Sequence, residues 1–292
     1  MQTKLDYVSG QTILPEGAFG ISPSQLELFF SKPHEWFRTQ VLGEASEFTG
    51  STSSYLGTVI HYIAEQFTLT RSVDKSEIYK YLYRDLCLNT PPFDNFSDEQ
   101  ASIAYLREYA NHPTIDCNHI LDQFKIMGNE LIQYLRRNLP QKAEELVSAQ
   151  VQPNYFVCGS VDAYNNGCVI DYKTTSDTTP KDYIPYNYKL QLLCYAYIYR
   201  SMGYHIDRIR IVWITQPQLN RVSEKTGKPL KDYPCQVVPV TYQLTRDDWT
   251  FIESILNLIS ETVQAYRDHP SLAHVIWKDY RLKPTIKETN VS

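Results

Sequence analysis

Apolar residues recur about every three to four positions over the first half of the chain and about every second position over parts of the rest. The pattern therefore predicts helices first and a sheet afterwards. Ser22-Pro23-Ser24 opens a helix, with a serine cap and a proline in the first turn. That helix carries Leu26, Phe29, Phe30 and Phe37 toward a core and stops near Gly43. A second helix starts after Ser53-Ser54 and runs through Ile60, Ile63 and Phe67. From about residue 74 to 139 the period stays helical, interrupted at Pro91-Pro92 and Pro113, which gives a helical insertion of two or three segments at about 70–140.

The texture then changes. Leu146 to Gln152, Tyr155 to Tyr164 and Cys168 to Thr174 are short and rich in β-formers, with Pro153-Asn154 and Asn165-Asn166-Gly167 as hairpin turns between them. A helix follows from about Asn187 to Met202. Arg208 to Thr215 and Gln236 to Tyr242 read as further strands, separated by a turn-rich polar stretch from Pro217 to Pro234. A final helix spans Arg246 to Asp268. With no internal repeat or long linker, the expectation is a single α/β domain over 1–292, a sheet flanked by helices on both faces.

Composition changes this little: 42% hydrophobic and 21% charged residues are those of an ordinary globular protein. No run approaches the roughly 18 apolar residues that span a bilayer, so no membrane partner is expected. Met1 to Asp6 lacks the apolar stretch of a secretory signal, which predicts a cytoplasmic location. The six cysteines form no C-x-x-C pair and read as buried or half-buried thiols. The net charge of −5 argues against a uniformly basic nucleic-acid binder, but not against an enzyme that gathers cations on one face and carboxylates around metals. Cations cluster at Arg136-Arg137, at Arg208 and Arg210, and along Arg221, Lys225, Lys228 and Lys231; surface solvation accounts equally well for any one cluster.

Chemistry concentrates in Gly159-Ser160-Val161-Asp162, the Asn165-Asn166-Gly167 turn, and Cys168-Val169-Ile170-Asp171-Tyr172-Lys173-Thr174. The turn folds the second strand onto the first, so Asp162 and Asp171 lie near one another. Two carboxylates in one small space repel, and a cation between them relieves that. Oxygen ligation suits magnesium or manganese. Lys173, two residues after Asp171, leaves the same strand face, where an ammonium can orient water and balance charge on a phosphoryl group. Taken alone, D-x-K is common and more often marks an edge hairpin with an ordinary surface ion pair.

This segment resembles motifs II and III of the PD-(D/E)XK nuclease superfamily, in particular its RecB-like branch, which includes the RecB and AddB nuclease domains and CRISPR-associated RecB-like exonucleases. Gly159, Asp162, Asp171, Lys173 and Thr174 match in order and spacing. Gly57-Thr58-Val59-Ile60-His61-Tyr62-Ile63-Ala64-Glu65 resembles the branch's G-T-x-x-H-x-x-x-E helix, and Gln191 to Tyr195 its Q-x-x-x-Y helix. Ser22-Pro23-Ser24-Gln25-Leu26 is similar to its S-x-S-x-L opening. A lone helix histidine or a single Q-x-x-x-Y is more often an ordinary surface or core feature. Here four patterns fall in order across residues 22 to 195.

The resemblance implies a restriction-endonuclease-like α/β core, a central mixed sheet flanked by helices, and hydrolysis of phosphodiester bonds in DNA. It makes Asp162, Asp171 and Lys173 catalytic, with His61, Asp162, Asp171 and the Tyr172 carbonyl as ligands for Mg²⁺ or Mn²⁺. Gln191 and Tyr195 would sit beside the substrate backbone, and Glu65 would be either a partner of His61 or a structural residue. An exonuclease on DNA ends is the first expectation, in recombination, repair or replication and with a protein partner from such a system. A structure-selective DNA or RNA endonuclease and a catalytically silent DNA-binding protein are the alternatives. Many members of the branch hold an iron–sulfur cluster on cysteines at both ends. Here Ser31 stands about where the first would lie and none follows Cys235, so no cluster is expected, and packing of Trp277 and Tyr280 would pin the tail instead.

Overall fold

The computed structural model describes residues 14–15, 17–44, 50–87, 93–223 and 225–269. Pro91-Pro92 and the expected packing of Trp277 and Tyr280 lie outside the described residues. Strand β1 (Phe19–Ile21) precedes a 3-10 turn at Pro23–Gln25 and the short helices α1 (Leu26–Ser31) and α2 (Pro33–Trp36), which passes into a turn of π-helix at Phe37–Val41. Four longer helices follow: α3 (Thr52–Thr70), α4 (Lys75–Leu86), α5 (Glu99–Tyr109) and α6 (Cys117–Arg137). Then come β2 (Lys142–Gln152), β3 (Tyr155–Asn165), β4 (Cys168–Thr175), α7 (Tyr186–Ser201), β5 (Arg208–Thr215), β6 (Val237–Gln243) and α8 (Arg246–Asp268).

The pattern of helices and strands thus holds, with local corrections. The helix expected from Ser22 is broken, because Pro33 cannot continue it and Lys32 leaves helical geometry at φ −142°. Phe30 falls on the outer face and is 42% exposed, while Leu26, Phe29 and Phe37 are buried as expected. Helix α3 starts earlier than read. Its cap is Ser51, whose side chain accepts from Ser54 N–H while the Ser54 hydroxyl accepts from Ser51 N–H. Strand β1 was not anticipated: three residues are too few to show a period.

The sheet is mixed. β3 is fully paired along one edge with antiparallel β2. Its other edge is shared: parallel β1 takes Tyr155 to Val157, and antiparallel β4 takes only Ala163 to Asn165, next to the Asn166-Gly167 turn. Both turn residues have positive φ, 44° and 80°, as a tight two-residue hairpin turn requires. Beyond that turn β3 and β4 diverge. β4 instead pairs along its whole length with parallel β5, which pairs in turn with antiparallel β6. The fork leaves the edge of β3 from Cys158 to Asp162 without a strand partner among the described residues.

Each face of the sheet carries its own core. α1, α2, α7 and α8 cover one, where Trp36, Leu193, Tyr199 and Leu256 pack on Val161, Val169, Ile211 and Trp213. α3 to α6 cover the other, where Leu56, Ile60, Phe124 and Leu131 pack on Ala163, Ile170, Tyr172 and Val212. The alternation along β4 sends Ile170 and Tyr172 to the second core, which leaves Asp171 and Lys173 on the side of α7. All six cysteines are free thiols, five buried and Cys235 half-buried.

Candidate active site

A cleft of about 820 Å³ opens at the fork. The free edge of β3 forms one part of its lining through Cys158, Gly159, Ser160 and Asp162, and α3 another through Ser54, Gly57, Thr58 and His61. Gln191 and Tyr195 reach it from α7, and Lys173 from β4. Gly159 fits this closeness. A Cβ there would stand 3.2 Å from both Pro23 Cδ and Tyr195 Cε1.

Where the strands part, a carboxylate takes the place of the ladder: Tyr172 N–H donates to Asp162 Oδ2 at 2.9 Å. The same oxygen lies 3.2 Å from His61 Nδ1. A third group joins them that the sequence reading did not include. Glu144 Oε1 is 3.7 Å from His61 Nδ1, and its other oxygen accepts from the Ser160 hydroxyl at 2.8 Å. One ligand atom each from His61, Glu144 and Asp162 falls within 4.8 Å of the others. Glu144 is held at φ 46°, a left-handed conformation that costs a non-glycine residue on the order of 1–2 kcal/mol, at the point where its side chain turns to the cluster.

Asp171 lies deeper, 1% exposed. Lys173 Nζ stands 2.9 Å from each of its oxygens, hydrogen-bonding Oδ1. Burial raises the Asp171 carboxyl, Lys173 lowers it and the Asp162 charge raises it again, leaving it at about 6. Burial would lower Lys173, yet Asp171 and Asp162 together hold it above the ordinary lysine range, so it is a cation. The Tyr188 ring lies 5.1 Å from Nζ and adds a π-face to the same charge. On α7, Gln191 and Tyr195 stand one turn apart and both line the cleft. Burial, and after it the Asp162 charge, push that phenol well above its ordinary range, so it stays a neutral donor.

The structure therefore brings His61, Asp162, Asp171, Lys173, Gln191 and Tyr195 together. What Tyr172 gives the cluster here is its N–H. Glu65, one turn beyond His61, is buried at 3% exposure and is not among the residues lining the cleft. The donor set fits a hard divalent cation: clustered carboxylates in a partly buried space with one imidazole among them, and a single ammonium to offset their charge.

The family model of the PD-(D/E)XK nuclease superfamily matches residues 20–274. The chain belongs to the PD-(D/E)XK nuclease superfamily. No curated protein matches it. Among solved structures it is similar to a protein from Eubacterium rectale provisionally called an exonuclease, at 12% identity and TM-score 0.49, over 89% of this chain and 88% of that one. The alkaline exonuclease of Laribacter hongkongensis overlaps at 9% identity and TM-score 0.34, over 77% and 98% of the two chains. A phage-related exonuclease from Haemophilus somnus does so at 14% and 0.31, over 84% and 97%. The mixed sheet between two helical layers is the restriction-endonuclease-like fold of the superfamily.

Proposed function

We propose that this member of the superfamily is a divalent-metal-dependent deoxyribonuclease of the RecB-like branch, working as an exonuclease on DNA ends. The carrying observation is the juxtaposition at the fork: a His61–Glu144–Asp162 donor cluster beside a buried Asp171–Lys173 pair, all at one cleft. The branch assignment rests on the helix bearing His61, the helix bearing Gln191 and Tyr195, and the D-x-K-T strand end, which occur here in that branch's order. DNA is the partner this requires, in a recombination, repair or replication setting with a protein of that system.

In this reading His61, Glu144, Asp162 and Asp171, with the Tyr172 carbonyl, hold one or two Mg²⁺ or Mn²⁺ ions. A bound ion supplies Lewis-acid polarisation of the phosphate and makes water more acidic at neutral pH. The chain's own groups do the rest. Lys173, fixed by Asp171 and the Tyr188 ring, orients the attacking water and offsets the negative charge that builds on the phosphorus oxygens. Tyr195, with Gln191 beside it in the cleft, donates toward the substrate backbone. The peptide N–H of Tyr172 and the Ser160 hydroxyl keep Asp162 and Glu144 aimed at the cleft before any ion arrives.

End-labelled single- and double-stranded DNA, incubated with magnesium or manganese against EDTA and beside Lys173→Ala, tests the proposal. Metal-dependent mononucleotide release or end-laddering, lost in the variant, is the expected result. Internal cuts in a covalently closed circle would overturn the end requirement, and no cleavage of any DNA by folded protein would overturn the deoxyribonuclease reading.

A further inference from the structure

The described residues of the polar stretch between β5 and β6 form a bridged arm. Gln218 and Tyr233 exchange both backbone hydrogen bonds, at 2.8 and 3.0 Å. Farther out, Leu230 N–H donates to Arg221 O at 2.8 Å and Ser223 N–H to Lys228 O at 2.9 Å, before the chain turns through Gly227 at φ 65°. The paired part, residues 218 to 223 against 228 to 233, spans at most about 17 Å at the usual rise of about 3.3 Å per residue.

The root is fastened to the catalytic strand. Thr215, the last residue of β5, lies beside Thr175, two residues past Lys173 in β4. Gln216 N–H donates to Thr175 O at 2.8 Å, and the Gln218 side chain donates to Ser176 O at 2.9 Å. The Gln216 side chain also meets His119 of α6 at 3.1 Å.

The arm carries Arg221, Lys225, Lys228 and Lys231, all exposed. None of the four makes an ion pair among the described residues. On the helices, by contrast, Lys75, Lys80, Arg107, Lys125 and Arg200 each face a carboxylate. Arg221 and Lys231 instead flank the Tyr233 ring, at 6.0 and 5.1 Å from its centre. The cleft itself has Lys173 as the one lysine or arginine among its lining residues, and Lys173 is neutralised by Asp171. A polyanion entering a cleft lined by the Asp162 carboxylate, with Glu144 and Asp171 close behind it, on a chain of net charge −5, has to be held by cations elsewhere.

We propose that the arm formed by residues 216–235 is a phosphate clamp, which grips the substrate strand beyond the cleaved bond through Arg221, Lys225, Lys228 and Lys231. This rests on the nuclease reading for what lies in the cleft, but the grip is measurable without cleavage. Four cations without an ion pair among the described residues, on a narrow hairpin, match a row of phosphates spaced along one strand, and the Tyr233 ring offers a face on which a base can stack.

The test is R221Q/K225Q/K228Q/K231Q against wild type. Binding of a fluorescein-labelled DNA single strand of about twenty nucleotides is read by anisotropy in EDTA, from about 50 to 300 mM potassium chloride. The variant should bind at least about tenfold more weakly at low salt, and its log affinity should fall less steeply with log salt, by roughly two to three in slope, since each phosphate contact contributes about 0.7. Its far-ultraviolet spectrum should match wild type, because no ion pair among the described residues is removed. Hydrolysis of the small diester bis(p-nitrophenyl) phosphate with manganese should also be unchanged. Equal affinity and equal slope in the two proteins would overturn the clamp, as would a parallel loss of small-diester hydrolysis, which would place the arm's effect at the catalytic centre. Should wild type cleave nothing yet bind DNA through the arm, the nuclease reading fails while the clamp stands.

Discussion

Asp162, Asp171 and Lys173 were legible as single residues because their spacing around one turn fixes their relation. Glu144 was not, and the reason is one residue of register. A two-residue turn at Pro153-Asn154 with regular pairing would set Glu145 opposite Asp162. The ladder slips between Gln150 and Gln152, and the pairs on either side of Glu144, Ala143 with Ala163 and Glu145 with Val161, then set Glu144 against Asp162 instead. Glu145 is left to Lys142 Nζ, at 2.7 Å, and to the Tyr199 hydroxyl, also at 2.7 Å. If Glu144 helps hold the ion, manganese should raise the unfolding temperature of wild type. Saturation at about a hundredfold over the dissociation constant is worth about 2.7 kcal/mol. Glu144→Gln keeps an oxygen for the Ser160 hydroxyl but loses the charge, so its manganese-induced shift should be less than half of wild type, whereas Glu145→Gln should keep the full shift. An undiminished shift in Glu144→Gln, read by scanning fluorimetry, would remove Glu144 from the site.

Long helices and the β4–α7–β5 unit announce themselves through periodicity and caps, and the bounds of α8 and β5 follow from sequence to the residue. Caps carry weight at this scale. Helix α8 begins with a capping box in which Thr245 N–H and Oγ1 donate to Asp248 Oδ2 at 2.9 and 2.7 Å, while Lys189 Nζ of α7 meets Oδ1 at 2.7 Å. Burial alone would raise the Asp248 carboxyl, yet Lys189, Thr245 and Tyr242 bring it down to about 2. A folded-state value below the unfolded value of about 3.9 stabilises the protein at all pH above that value, and the contribution fades as pH falls toward 2. Asp248→Asn should therefore cost about 1–2 kcal/mol at neutral pH, in the range of a lost cap, and progressively less below pH 4. Urea midpoints at pH 6 and 3 check this, and a pH-independent difference would refute the assignment. The free edge of β3 makes a second case. Gly159→Ala presses on Tyr195 and Pro23, neither of which can retreat far in the core, so it should lower activity through a displaced Tyr195 and cost about 1–3 kcal/mol. Unchanged activity and stability would mean that the contact gives way freely.

At the scale of the molecule, the sheet is the wall shared by two cores, and the catalytic strands belong to both. β4 sends Val169 to one core and Ile170 and Tyr172 to the other, so neither helical layer can leave without exposing the back of the strand that carries Asp171 and Lys173. The expectation is one domain, in which the insertion read at about 70–140 shares its core with α3, the helix that lines the site. Tryptophan positions make the claim measurable. Trp36 and Trp213 lie in the core under α7 and α8 and Trp249 packs against it, whereas helices α3 to α6 contain none. In a Trp277→Phe background, since Trp277 lies outside the described residues, fluorescence reports on one layer, while helical circular dichroism draws on both. If the two cores unfold as a unit, the two signals should fall at the same temperature and the same urea midpoint. A dichroism transition that precedes the fluorescence one by several degrees would mean that α3 to α6 melt separately. His61 would then leave the site while Lys173 stayed in place, and manganese, by tying α3 to β3 through His61 and Asp162, should draw the two transitions back together.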